Sequence, residues 1–446
     1  MRNSTFMALC AVAAAAILCS PARAEDLMEI FRAAQQNDAQ FAAARSARNA
    51  AVERAPQGLA QLLPGVNLSA GRTETDQDVT SPGVDSSYRY PTNSYSLTLS
   101  QPIYRKKNFA AYEQGKADAA RADYELATAR QDLILRVSQT YLTALAAQDI
   151  HDFAVSEKEA VARLLDLTRR NASVGIGTII DVDDAQSNYD LTVAQEIEAA
   201  NTLEVKREAL RVLTSQRPGT LARLTGPLPL EPPQPAQVEK WEDTARLDNP
   251  LVLAQQQAVE SAAQELEKQR GGHYPTLDLN ASHAYNDAQG SVFGFPLETR
   301  TNQIGLAFNL PLYEGGDTQS RVREAAARRD EAGQRLEQLR RESAFSARDA
   351  YAAVRSGLAR VEALERALAS NRRALESVVL GYERGVRNAS DVLISQRVLF
   401  RTRRDLAEQR YLYLQARLRL KAAVGALAEE DLEQVNRLLG YAAAAP

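Results

Sequence analysis

Asp181 and Asp391 stand at the same point of two related turns, SVGIGTIIDVD at 173–183 and ERGVRNASDVL at 383–393, separated by 391 − 181 = 210 positions. A repeated carboxylate of this kind can cap a helix, pair with a cation, or set the field in a narrow passage. Spacing alone supports the cap. Thr178-x-x-Asp181 and Asn388-x-x-Asp391 each set an N-cap side chain three residues ahead of an acid, a pattern that stabilises a helix start by about 1 kcal/mol. Gly175 and Gly385 come just before, where a left-handed residue ends an incoming helix. Metal and nucleophile chemistry have little to draw on. His151, His273 and His283 are far apart and lack metal-ligand spacing, and His151 is expected on an exposed helix face. Gly175-Ile-Gly177 begins like a dinucleotide loop, but Ile180 and the helical residues ahead of it break that fingerprint. No enzyme and no cofactor is expected.

The elements that position these turns begin after a secretory signal. Arg2, an apolar run from Phe6 to Cys19 and Ala22-Arg23-Ala24 predict removal of residues 1–24. Cys10 and Cys19 leave with it, so no disulfide or thiolate is expected in the mature chain. Taking Arg2 and Arg23 from 53 basic residues leaves 51 against 57 acidic ones, a balance that argues against nucleic acid as a partner. No later apolar run is long enough for a transmembrane helix, so any membrane entry must be made by strands.

The chain states one plan twice. LLPGVNLSA (62–70) pairs with HYPTLDLNA (273–281), SLTLSQPIY (96–104) with GLAFNLPLY (305–313), QTYLTAL (139–145) with DAYAAVR (349–355), and finally the two turns. One offset near 210 holds throughout, which predicts repeats at 25–216 and 238–446 around a Pro-rich linker at 217–237. Each repeat is read as a helix, two short strands and a very long helix that turns and returns. Val66, Leu68 and Ala70, Leu97 and Leu99, Leu277, Leu279 and Ala281, and Ile304, Leu306, Phe308 and Leu310 alternate with polar residues, the mark of a strand with two different faces. Tyr95, Tyr104, Tyr274, Tyr285 and Tyr313 suit an interfacial belt. Pro102 and Pro311 are expected to end the ladders, and 73–92 and 286–301 to be polar loops facing outside the cell.

The long helices are predicted over about Phe109–Arg170 and Arg321–Tyr382, rods of roughly 90 Å each. Val354, Leu358, Val361, Leu364, Leu368, Leu375 and Val378 recur at coiled-coil spacing, as do Ile134, Val137, Tyr141 and Leu145. Four strands cannot close a water-filled barrel, and hydrocarbon forbids open sheet edges. Three copies, with about 12 strands, are the smallest assembly that conducts.

With DLMEIFRAAQQNDAQ at the mature start, the duplicated plan, VGIGTIIDVDDAQSNYD and GYERGVRNASDVLISQ, the chain resembles the TolC family of outer-membrane efflux and type I secretion channels along nearly its whole mature length. The resemblance implies a mainly α fold with a small β-barrel portion: a homotrimer whose 12-stranded barrel in outer-membrane lipid continues as a periplasmic α-helical barrel. It implies export of proteins or small toxic molecules with a periplasmic adaptor (membrane fusion) protein and an inner-membrane transporter, ABC or proton-driven. It also makes Asp181, Tyr382 and Arg387 the gate at the periplasmic tip, and Asp391 the pore constriction. Val174, Gly175, Ile176, Gly385 and Val386 become the adaptor-docking residues. Ile394 stands where relatives often carry a second acidic ring, and Arg384 departs from the docking pattern. The competing reading is a periplasmic adaptor or coiled-coil scaffold without a channel; an adaptor would carry one helical hairpin, not two.

Overall fold

The computed structural model describes residues 25–440 apart from Pro227, Val292 and Gly294. The expected signal at 1–24 lies outside the described residues. In chain order the elements are α1 (Leu27–Asn37), α2 (Ala39–Val52), α3 (Arg54–Ala60), β1 (Gly65–Ser81), β2 (Val84–Arg105), α4 (Lys106–Ser173) and α5 (Ile179–Thr214). They continue with β3 (Arg223–Leu224), α6 (Val238–Asp248), α7 (Pro250–Arg270), β4 (Thr276–Ala288) and β5 (Leu297–Asn309). The last are α8 (Asp317–Glu383), α9 (Ala389–Ala423), α10 (Glu429–Asn436) and β6 (Leu439–Gly440). They form two compact units, one of Arg45–Leu126 with Pro250–Leu339, the other of the remaining segments.

The first unit holds one antiparallel sheet in the order β1-β2-β4-β5. Its register explains the alternation. Val66 lies opposite Leu99, Leu99 opposite Ala281, and Ala281 opposite Ile304, so apolar side chains align in rows on one face. Those rows are bare within the chain: Leu68 is 69% and Ile304 78% exposed. An apolar sheet face that meets no core is built for a nonaqueous neighbour. Tyr95 stacks on Tyr285 at 5.0 Å, and the Arg300 guanidinium lies 5.6 Å over the Tyr285 ring. Among the described residues no helix is long and apolar enough to cross a membrane.

Three expectations need correction here. Residues 73–92 are strand, not loop: β1 and β2 run to a two-residue turn at Pro82-Gly83, where Gly83 has φ 89°. A Pro-Gly pair suits that turn, and threonine-rich polar residues continue the ladder past the apolar rows, with Thr73 opposite Thr92. Residues 286–301 shrink to a loop at 289–296, because β4 and β5 pair out to Ala288 and Leu297. Pro102 does not end β2. The register shifts between Pro102 and Tyr104 and pairing resumes, a bulge that accommodates the missing amide hydrogen. Arg105 then clamps Asp278 on β4 with two 2.7 Å hydrogen bonds. By contrast β5 stops at Asn309, just before Pro311.

The second unit is helical. The predicted long helices are present as α4 (Lys106–Ser173) and α8 (Asp317–Glu383), slightly longer than expected. Their seam is inside: Val354 is 2% and Val361 0% exposed, and Val137, Tyr141 and Leu145 are fully buried. Toward the turns, Val161, Leu164 and Leu165 of α4 pack with Ala185 of α5 and Val392 and Leu393 of α9, with Leu375, Val378 and Tyr382 of α8 alongside. Two helical hairpins are thus present, where an adaptor needs one. Among the described residues of the linker at 217–237 there is no helix, as its prolines require, and tyrosines bind it. Tyr141 donates to the carbonyls of Ala222 (3.0 Å) and Glu25 (3.1 Å), and Tyr413 to that of Glu231 (2.8 Å). β3 within the linker pairs with β6 near the end of the described chain. Asp38, 6% exposed, accepts two hydrogen bonds from Arg136 on α4, at 2.9 and 3.0 Å.

Candidate functional site: the two helix turns

Each turn is assembled by the backbone first. Ile176 N–H donates to the Asn171 carbonyl at 2.9 Å and Gly175 N–H to that of Ala172 at 3.1 Å, a closing motif that needs the left-handed φ of 77° at Gly175. The second turn repeats it with Val386 to Gly381 (2.9 Å), Gly385 to Tyr382 (3.0 Å) and a φ of 72° at Gly385. Both caps form. Thr178 Oγ1 accepts from Asp181 N (3.2 Å), and Asp181 Oδ2 accepts from Thr178 N (3.2 Å) and Oγ1 (2.7 Å). In the second turn Asn388 Oδ1 accepts from Asp391 N at 2.8 Å.

The two turns then diverge in charge. The Asp181 carboxylate is spent on its own cap, and among the described residues it bonds to neither Tyr382 nor Arg387. Asp391 is freer, with its Oδ2 lying 3.6 Å from Arg387 Nη1 one turn away. Tyr382 is half-buried against the tip cluster, and its hydroxyl accepts from Asn171 Nδ2 at 3.3 Å. That bond links α8 to α4. So Arg387 is brought to Asp391 and Tyr382 to Asn171, while Asp181 stands apart from both.

Asn171 and Gly381 were missed by sequence reasoning, although the 210 offset makes them equivalent positions. Asn171 faces Gly177 in the first turn, and Gly381 faces Arg387, the equivalent of Gly177, in the second. A Cβ on Gly381 would lie 2.9 Å from Arg387 Cγ, and one on Gly177 3.2 Å from Asn171 Cβ. Each turn therefore pairs a glycine with a larger side chain, in opposite order. Reading the repeats against each other for swapped sizes would have found this pair.

The apolar residues of the tip face solvent. Val174, Ile176 and Val386 are 68%, 81% and 79% exposed, and Ile179 and Ile180, not among the residues expected to dock an adaptor, are 68% each. Among the described residues no grouping of His, Cys, Asp and Glu has the makings of a metal site. His151 is half-buried, contrary to the expected exposed face, with Nδ1 3.6 Å from Asp152. His283 shares a hydrogen bond of 2.6 Å with Asn302, the residue opposite it on β5.

A four-stranded sheet with one bare apolar face, in a chain that also folds two long helical hairpins, defines a subunit of an outer-membrane channel. The chain belongs to the outer membrane efflux protein family, whose model matches residues 30–216 and 241–426. It is 32% identical over 428 residues to outer membrane protein TolC of Vibrio cholerae, covering 95% of this chain and 96% of that one. It is 30% identical to the proteases secretion protein PrtF of Dickeya chrysanthemi, covering 93% and 91%. The fold matches the Campylobacter jejuni CmeC outer membrane channel with a TM-score of 0.79 at 18% identity, over 93% and 90% of the two chains. The protein is thus an outer-membrane protein of the TolC type.

Proposed function

We propose that three copies of this chain form one exit duct, a 12-stranded barrel in outer-membrane lipid continued by a helical barrel in the periplasm. The observation that carries this reading is the sheet itself. Among the described residues β1 and β5 are the outer strands of the sheet, each with one unpaired edge, and an unpaired edge beside bare apolar rows cannot persist in hydrocarbon. Joining β1 of one copy to β5 of the next removes every edge when the ring closes. The two repeats around the 217–237 linker then supply two strands and one hairpin each.

The duct delivers its cargo from an inner-membrane transporter to the exterior. Similarity to a protein named for protease secretion supports type I secretion with an ATP-driven partner. Multidrug efflux with a proton-driven partner is the second reading, supported by the efflux family itself. A periplasmic adaptor docks on the exposed Val174, Ile176 and Val386 around Gly175 and Gly385. The gate is Asp181 facing Tyr382 and Arg387 in the assembled tip, and Asp391 rings the narrowest passage.

Three Asp391 carboxylates around a narrow ring give a negative potential that favours cations. Arg387 at 3.6 Å offsets part of it. In planar bilayers Asp391→Ala should bring the cation-to-anion permeability ratio close to one, and Arg387→Ser should raise it. Cation selectivity untouched by Asp391→Ala would remove Asp391 from the constriction.

A further inference from the structure

We propose that a small oxyanion of the phosphate class binds between Arg372 of α8 and Arg403 of α9, bridging the two helices of the second hairpin at a cavity that α4 and the linker also wall. The inference is independent of the trimeric reading and goes beyond it. It starts from the side chains that face each other along α8 and α9. Arg410 Nη2 donates to Glu365 at 2.7 Å, a rung of opposite charges. Arg372 stands seven residues after Glu365, and Arg403 seven before Arg410, two helical turns toward the tip on each side. Asn371 Nδ2 donates to Thr402 Oγ1 at 2.8 Å, which ties the two helices together at this level. The rung here is arginine against arginine.

Neither arginine has a counter-ion within the chain. Among the described residues Arg372 and Arg403 form no ion pair and donate no hydrogen bond. Burial and the charge of Arg372 hold the Arg403 pKa below the ordinary guanidinium value, and no carboxylate acts to raise it. The carboxylates nearby are committed elsewhere: Asp149 accepts from Tyr411 at 2.7 Å, Asp152 pairs with Arg223 at 2.6 Å, and Glu365 with Arg410. Like charges held side by side destabilise a helical pair, so this rung calls for an anion. The Arg403 guanidinium lies 5.2 Å over the Phe400 ring, which covers one of its faces and leaves the in-plane N–H groups to donate.

Size selects the ligand. Arg403 lines a cavity of about 250 Å³ together with Arg410, Asp149 and Phe153 of α4, Leu224 of the linker and Leu368 of α8. Arg372 follows Leu368 by one turn on the same side of α8. The volume falls below the roughly 300–1,000 Å³ of sites for drug-sized molecules, which argues against exported cargo and suits a compact ion. Arg410 adds a donor, since its Nε is buried and has no acceptor among the described residues. Guanidinium groups match an oxyanion through paired N–H···O bonds, whereas chloride offers a single charge and no such geometry.

The test titrates the purified protein, in mild detergent, with inorganic phosphate by calorimetry, with chloride at matched ionic strength as the reference. Saturable phosphate binding is expected in the parent, and binding about tenfold weaker in Arg372→Gln and in Arg403→Gln. Thermal unfolding gives a readout of opposite sign. Arg372 is exposed, so its replacement leaves the fold intact and removes the repulsion. Arg372→Gln should therefore raise the midpoint without phosphate and lose the further rise that phosphate gives the parent. Arg372→Glu, which repeats the Glu365–Arg410 rung, should do both more strongly. Glycerol phosphate separates the sources: binding would support a site for phosphate monoesters such as lipid headgroups, and its failure beside successful inorganic phosphate would support a site for the free ion. Phosphate no more effective than chloride, or bound equally by the parent and Arg372→Glu, would overturn the proposal and leave the duct untouched.

Discussion

Arg387→Ser combined with Tyr382→Phe is expected to raise single-channel conductance in planar bilayers, because it removes both partners assigned to Asp181 at the tip. The magnitude follows from small contributions multiplied by symmetry. An exposed ion pair contributes at most about 1 kcal/mol, and a hydroxyl hydrogen bond such as that of Tyr382 about 1 kcal/mol. Three copies together reach a few kcal/mol, and about 2.8 kcal/mol corresponds to a 100-fold change in the open-to-closed ratio. A barrier of that size keeps a tip closed at rest, yet yields to a partner that prefers the open form. Each single substitution should give a smaller rise. Arg387→Ser also frees Asp391 from its neighbour at 3.6 Å, so selectivity and conductance should be recorded together. Unchanged conductance in the double variant would take Tyr382 and Arg387 out of the gate.

The largest effect on stability is expected at Arg136. Its guanidinium supplies two of the hydrogen bonds to the Asp38 carboxylate, which is 6% exposed and also accepts from Phe41 N at 2.7 Å. Burial by itself would raise the Asp38 pKa; the Arg136 hydrogen bonds and charge, with backbone amides, outweigh it and hold the pKa below the ordinary 3.8. Arg136→Ala leaves a buried carboxylate without its cation, at a cost of about 3 kcal/mol. The pH dependence has a definite sign. A depressed carboxylate pKa stabilises the fold above 3.8, and that contribution is lost as pH falls through the lower folded value. The difference between parent and Arg136→Ala in denaturant midpoint should therefore be full at neutral pH and shrink on acidification below 3.8. An equal difference at pH 7 and pH 3 would show that Arg136 acts through packing instead.

What the sequence disclosed depended on periodicity. The alternation of Leu277, Leu279 and Ala281 against Ile304, Leu306 and Phe308 located one sheet face, because that face is uniformly apolar. The seam from Val354 to Val378 and the caps at Thr178 and Asn388 were legible for the same reason: each is a local pattern with a fixed spacing. Residues 73–92 were not, since Thr73, Thr75 and Thr92 continue the ladder on polar side chains with no apolar alternation to reveal it. The Pro82-Gly83 pair was the available signal for the turn. Contacts between distant segments were also hidden. Nothing in the spacing of Asp38 and Arg136, or of Arg105 and Asp278, marks them as pairs; only the packing of their elements brings them together. At the tip, the cap role of Asp181 was readable from Thr178, whereas the link from Tyr382 to Asn171 depends on how two hairpins stand side by side.

The count of chains in the membrane-extracted particle tests the account most directly. Purified in mild detergent and weighed by native mass spectrometry, the protein should contain three chains, resist dodecyl sulfate until heated, and conduct ions in a planar bilayer. A single-chain particle, folded in detergent-free buffer with β1 and β5 unpaired and the Leu68 and Ile304 rows covered by its own residues, would contradict it.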